Sequence, residues 1–211
     1  MMYKRDMRKS YFKFGASEMT YLSERDPALG LVIGRAGRIR RPVTPDIFEA
    51  LISSIIGQQI SSKAAATVRA RMQKGLGLIA PETIIAAGPG QIQSFGMSVR
   101  KAEYIVSAAN SVAMGELDLA KLRCMDDHEI FEKLCAIKGI GKWTAEMLML
   151  FSLQRPDVLS HGDLGIRRGL CMLHRHREIT PRLYEKYRKL YSPHGSVASL
   201  YLWHIAGGFP V

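Results

Sequence analysis

Residues Leu134 to Ala145 read LCAIKGIGKWTA, and the two glycines of this stretch, Gly139 and Gly141, flank Ile140. Glycine permits positive φ and close approach of another backbone, so the chain can reverse here between two helices. Upstream, Asp126 and Glu129 have the spacing of a capping box ahead of Ile130, Phe131 and Leu134. Downstream, apolar residues at helical spacing predict a second helix from Lys142 to Leu153. The N–H groups that open this second helix carry partial positive charge suited to a phosphate. Lys138 and Lys142 add charge around the turn, Ile140 is expected to tuck inward, and Thr144 falls in the first turn of the second helix. A GIG tripeptide by itself fits an ordinary αα-hairpin. Set between two helices in a strongly basic chain, it favours an anion-gripping hairpin.

Outward from the hairpin the periodicity stays helical. Thr44, Pro45 and Asp46 read as N-cap, first-turn proline and first-turn acid before Ile47, Phe48, Leu51, Ile52, Ile55 and Ile56, with Gly57 ending the helix. Ser61 and Ser62 cap a helix predicted through Arg71, Pro81 opens a short one that stops near Gly88, and Ser98 caps one from Val99 to Met114 with Gly115 terminating it. Later helices are predicted to begin at Asp163, near Thr180 and near Ser196. With no alternating strand pattern, the economical expectation is an all-α pair of domains.

The 211 residues are 47% hydrophobic and 23% charged, which excludes a disordered chain and a disulfide miniprotein. The longest apolar stretches, such as Ala50 to Gly57, are broken well before the roughly 18 residues a membrane-spanning helix needs. Met1 to Lys13 lacks the apolar run and cleavage site of a secretory signal, so the expected location is the cytoplasm. Lysine and arginine total 30 against 19 acids, a net charge of +11 that favours a polyanion such as nucleic acid. The excess is concentrated in Met1 to Lys13 and in Arg167 to Lys189, and solvated faces are the plainer reading of both. Cys124, Cys135 and Cys171 form no CxxC pair and read as buried thiols. His174 and His176 read as an exposed or phosphate-facing pair.

Four pieces in fixed order, IIGQQISSKAA (Ile55 to Ala65), IKGIGKWTA (Ile137 to Ala145), the glycine-aspartate stretch at Asp163 and SVASLYLW (Ser196 to Trp203), resemble the helix-hairpin-helix superfamily of base-excision DNA glycosylases. Within it the chain is most similar to the 3-methyladenine DNA glycosylase II branch, from about Thr20 to Ala206. The resemblance implies two helical lobes with the hairpin at the cleft between them. A six-helix lobe of residues 44–154 would end in the hairpin, about 127–153. Residues 1–43 and 155–211 would form the second lobe. It further implies excision of alkylated purines from double-stranded DNA by a monomer that needs no cofactor. A potassium or sodium ion on the hairpin carbonyls is allowed, with no other metal.

By the same resemblance Asp163 is the catalytic carboxylate, although a pure helix N-cap explains an aspartate there equally well. Asp157, after Pro156, fits a turn better. Cleavage of an N-glycosidic bond develops positive charge at C1′, which a fixed carboxylate stabilises. Relatives that also cut the DNA backbone carry a lysine just before the Thr-Ala of the hairpin motif. This chain has Trp143 there, and Lys142 is turned by about 100°. The implication is a monofunctional enzyme that leaves an abasic site. The stack-filling wedge maps onto Gln59, with Gln58 and Ile60 as neighbours, or QQIS is a polar turn capped by Ser61. Trp143, Trp203 and Tyr201 are candidates for an aromatic base pocket, with Tyr104 and Phe48 behind them; core packing is the alternative for each, and the favoured one for all but Trp143. Relatives often have an arginine or aromatic residue in place of Gly195, and the range of excised bases stays open. A non-catalytic DNA-binding hairpin protein and a glycosylase for another damaged or mismatched base are the competing readings.

Overall fold

The computed structural model describes residues 10–211. Of the basic Met1 to Lys13 stretch, all but Ser10 to Lys13 lies outside the described residues. Among the described residues eleven α-helices follow in order: α1 Ala16–Arg25, α2 Pro27–Ala36, α3 Ile47–Gly57, α4 Ser62–Leu76, α5 Pro81–Ser94, α6 Val99–Ala113, α7 Asp127–Ala136, α8 Lys142–Phe151, α9 Leu164–His174, α10 Pro181–Tyr191 and α11 Gly195–Ala206. Among the described residues, extended pairing amounts to one antiparallel bridge, Tyr11 with Pro42. The chain divides into two compact units, Thr44–Leu153 and the flanking segments up to Val43 and from Gln154 to Val211. No helix among the described residues is long and apolar enough to cross a membrane.

In the unit of residues 44–153, α3 is the core helix. Ile47, Phe48, Leu51, Ile52, Ile55 and Ile56 are all buried, each stabilising by roughly 1.5–3 kcal/mol. Its cap is Asp46, which accepts from the Glu49 amide at 2.9 Å, and not Thr44. Thr44 instead ties the entry of the unit to its exit. Its amide donates to the Phe151 carbonyl and its carbonyl accepts from Ser152 Oγ. α4 runs past Arg71 to Leu76 because Val68 and Met72 continue its buried face. At Gly88, with φ 66°, the helix breaks as expected, and a further turn restarts at Pro89 and reaches Ser94.

The second unit is organised by α11, where Val197, Ala198, Leu200, Tyr201, Leu202 and Ile205 are buried. α9 crosses so near that a Cβ on Gly169 would meet the Leu202 backbone. Two helices, α1 and α2, precede anything the periodicity indicated. Asp26 caps α2, accepting from the Ala28 and Leu29 amides with Pro27 in the first turn. Its other carboxylate oxygen accepts from Tyr191 Oη at 2.7 Å and lies 3.1 Å from His174 Nε2. His174 is therefore part of a buried network, stacked on Tyr187, and not an exposed anion contact. The thiols also differ from expectation: Cys124 is exposed, and Cys135 and Cys171 are half-buried.

Burial opposes the charge of Asp26, but the bonds from His174 and Tyr191 outweigh it and hold the carboxyl below the usual range. A carboxyl depressed in the native state contributes stability above its unfolded pKa of about 3.9, and that contribution is lost as pH falls through the native value. Asp26→Ala, which removes the cap and leaves Tyr191 Oη without its acceptor, is expected to cost about 3–5 kcal/mol at pH 7 in urea unfolding. Asp26→Asn, which keeps the cap, is expected to cost less and to flatten the acid limb of the stability profile.

Candidate active site

The segment before α9 is stitched to the start of α11. The Ser196 amide donates to the Pro156 carbonyl, Ser196 Oγ accepts from the Val158 amide at 3.0 Å, and Ser199 Oγ donates to the Val158 carbonyl at 2.9 Å. Asp157 occupies the turn expected of it. Its Oδ1 accepts from the Gly195 amide at 3.0 Å and its Oδ2 from Ser192 Oγ at 2.6 Å. A Cβ on Gly195 would lie 2.8 Å from Asp157 Oδ1, so a larger side chain at this position requires the carboxylate to move. Tyr184 Oη, from α10, donates to the Leu159 carbonyl, and its ring packs against His161.

This braced loop delivers Asp163 to the N-terminus of α9. Oδ1 accepts from the Ile166 amide at 2.9 Å and from the Trp203 indole Nε1 at 2.8 Å, and the residue is 7% exposed. Two donors on one oxygen fix the carboxylate plane, and the helix end places further positive potential beside it. The second donor comes from α11 and requires an opening in α9. A Cβ on Gly165 would lie 2.7 Å from Trp203 Cδ1 and 3.1 Å from Nε1.

The aromatic candidates separate. Trp203, half-buried, also lines a cavity of about 480 Å³ with Ile39, Arg41, Leu200, His204 and Phe209. Tyr201 has no exposed surface and donates its hydroxyl to the Gly37 carbonyl, which corrects its assignment to a base pocket: it is core. Burial pushes its hydroxyl up to about 12. Phe48 is core as well. Trp143, in the other unit, is 48% exposed on the first turn of α8.

In that unit Gly139 takes φ 91° and a Cβ there would strike the Tyr104 ring, so the hairpin needs glycine both for conformation and for space. Ile140 is buried, as expected. Gly141 caps α8 with no side chain on its first amides, and Lys138, Gly141 and Lys142 are exposed. Thr144 departs from the expected surface contact: it is buried in the unit, 7% exposed. Gln58 is a second correction, since its Nε2 donates to the Gly139 carbonyl at 2.8 Å and braces the turn. Gln59, at φ 56°, and Ile60 are exposed at the loop tip. Gln58 and Gln59 line a cavity of about 520 Å³ with Arg100, Lys101, Tyr104 and the hairpin. The pairing of Trp203 with Asp163 across 40 residues and the place of Lys101 carried no sequence signal.

Comparison with known proteins follows the same lines. A DNA-3-methyladenine glycosidase from Bacillus halodurans superimposes with a TM-score of 0.86 at 39% identity, covering 95% of this chain and 94% of that one. The Schizosaccharomyces pombe 3-methyladenine DNA glycosylase in complex with abasic DNA gives a TM-score of 0.78 at 30% identity, covering 91% and 97%. DNA-3-methyladenine glycosylase 1 of S. pombe is 34% identical over 161 residues, 74% of this chain and 71% of that protein. Residues 52–193 match the family described as HhH-GPD superfamily base excision DNA repair protein. With this fold, this hairpin and this match, the chain belongs to the HhH-GPD superfamily.

Proposed function

We propose that this protein is a monofunctional DNA glycosylase that hydrolyses the N-glycosidic bond of alkylated purines of the 3-methyladenine type and leaves an abasic site. The observation that carries this reading is the carboxylate of Asp163, held by the Ile166 amide and the Trp203 indole. As the bond from C1′ to the purine nitrogen lengthens, its electron pair leaves with the base and positive charge grows on the sugar. A carboxylate already fixed beside that carbon stabilises the transition state more than the ground state, without reorganising. Water then adds at C1′ and passes its proton to Asp163. N-alkylated purines carry positive charge and leave readily, so no strong general acid is required. An indole face on Trp203 or Trp143 favours a cationic base by about 0.5–2 kcal/mol, a preference and not strict selection.

Duplex DNA is engaged by the uncapped amides that open α8 and by Lys138 and Lys142, a grip on phosphate that carries no sequence information. Gln59 and Ile60 fill the stack when the damaged nucleotide leaves it, at a cost of a few kcal/mol that is smaller for damaged bases. An alkali cation would sit on the carbonyls of Ile137 and Gly139 and supply positive charge toward a phosphate. These oxygens accept from the Ile140 amide at 3.0 Å and from Gln58 Nε2, and a carbonyl has a second lone pair for a hard ion. With tryptophan at position 143, no amine stands immediately before the Thr-Ala of the hairpin, which leaves water as nucleophile.

Asp163→Asn is expected to lower single-turnover base release from methylated DNA by about 100- to 1,000-fold with DNA affinity retained; unchanged release removes Asp163 from the mechanism. A wild-type protein that binds DNA but liberates no base is a binding module and not an enzyme. Gly165→Ala, which pushes the indole off the carboxylate, is expected to slow release about tenfold to a hundredfold, checked alongside helicity and DNA affinity. Borohydride added during turnover is expected to trap no covalent protein–DNA adduct, and a trapped adduct overturns the water route.

A further inference from the structure

Lys101 occupies a costly position. It lies in the first turn of α6, whose cap is Ser98, so its ammonium sits beside the positive end of its own helix. It is also half-buried, and loss of hydration pulls its pKa below the usual lysine range. Both effects disfavour a cation there. Opposing them, Nζ donates to the Ile56 carbonyl at 2.8 Å and to the Gln58 carbonyl. These belong to the end of α3, where the last carbonyls lack intrahelical partners and the helix dipole is negative. One ammonium thus caps α3 from another helix and fixes the first residue of the loop that follows.

The same loop is held from its other side by the Gln58 side chain, which donates to the Gly139 carbonyl of the hairpin. Between these anchors Gln59 is kept at φ 56°, a left-handed conformation costing about 1–2 kcal/mol for a residue with a Cβ, and it is exposed together with Ile60. A braced base under a strained, exposed tip is what a rigid insert into a base stack requires, because a floppy one would lose its binding energy to ordering.

We infer that Lys101 is a positioning residue that holds the Gln58–Ile60 loop ready to replace an extruded nucleotide, so that it acts on base extrusion and not on bond cleavage. This rests on the glycosylase reading given above. The test compares Lys101→Met, which keeps the length and removes the charge, with Lys101→Arg, which keeps the charge. Each is assayed on one alkylated purine in two settings, fully paired in a duplex and in a single strand where no extrusion is needed. Lys101→Met is expected to slow release from the duplex about tenfold to a hundredfold, roughly the value of one charge-assisted bond, and to leave the single-strand rate within about threefold of wild type. Lys101→Arg is expected to restore most of the duplex rate.

Equal losses on both substrates, with a lowered melting temperature, reduce Lys101 to a fold residue and overturn the inference, as does an unchanged duplex rate. A second readout is independent of chemistry: 2-aminopurine beside the lesion brightens when its neighbour leaves the stack. The brightening is expected with wild type and with Asp163→Asn, and its loss is expected with Lys101→Met. Brightening without base release by wild type overturns the glycosylase reading alone, whereas brightening that persists undiminished in Lys101→Met overturns the clamp.

Discussion

One carboxylate oxygen, Asp163 Oδ1, receives an amide from its own helix and an indole N–H from another, and much of the unit formed by the chain ends follows from that constraint. For Trp203 to reach, α9 and α11 must approach closely, and Gly165 and Gly169 leave the room. For Asp163 to start α9, the loop before it must end in one place, and the bonds of Asp157, Ser196, Ser199 and Tyr184 fix its course. An aspartate held in this way needs little rearrangement when charge develops nearby, and that is the physical content of electrostatic preorganisation.

On the function proposed above, the central unit meets a different requirement, holding a polyanion without reading its sequence. α8 opens with an exposed glycine and no side chain on its first amides, while Ile140 is buried and anchors the turn. The turn is supported in sequence-distant ways, by the Tyr104 ring against Gly139 and by Gln58 on the Gly139 carbonyl. Lys101 then secures the end of α3. Hairpin and loop share Gln58 as a strut. The net charge of +11 adds long-range attraction on top of these local contacts.

Features that depend on neighbours along the chain were legible in the sequence. Asp126 with Glu129, Ser61, Ser98, Asp163 and Thr180 all cap helices where their spacing predicts, because capping is settled within one turn. The pair Asp26-Pro27 carries the same capping signal for α2. What could not be read were partners distant in sequence. Trp203 looked like a base platform, and its edge turns out to serve Asp163. Tyr201, two positions away, points to the opposite side of α11 and is sealed in the core, a distinction that aromatic content alone does not make. Gln58 and Gln59 are adjacent and chemically alike, yet one braces the hairpin and the other, at φ 56°, is exposed. Thr44 lost its expected capping role to Asp46 because its own backbone was committed to the end of α8.

Charge recognition at C1′ is tested most directly by equilibrium binding to two stable abasic-site analogues in the same duplex. One is a neutral tetrahydrofuran, the other a pyrrolidine whose protonated nitrogen imitates the cationic sugar. Wild type is predicted to bind the cationic analogue more tightly by at least about 100-fold, and Asp163→Asn to bind the two alike. An equal preference for the cation in both proteins would contradict the account.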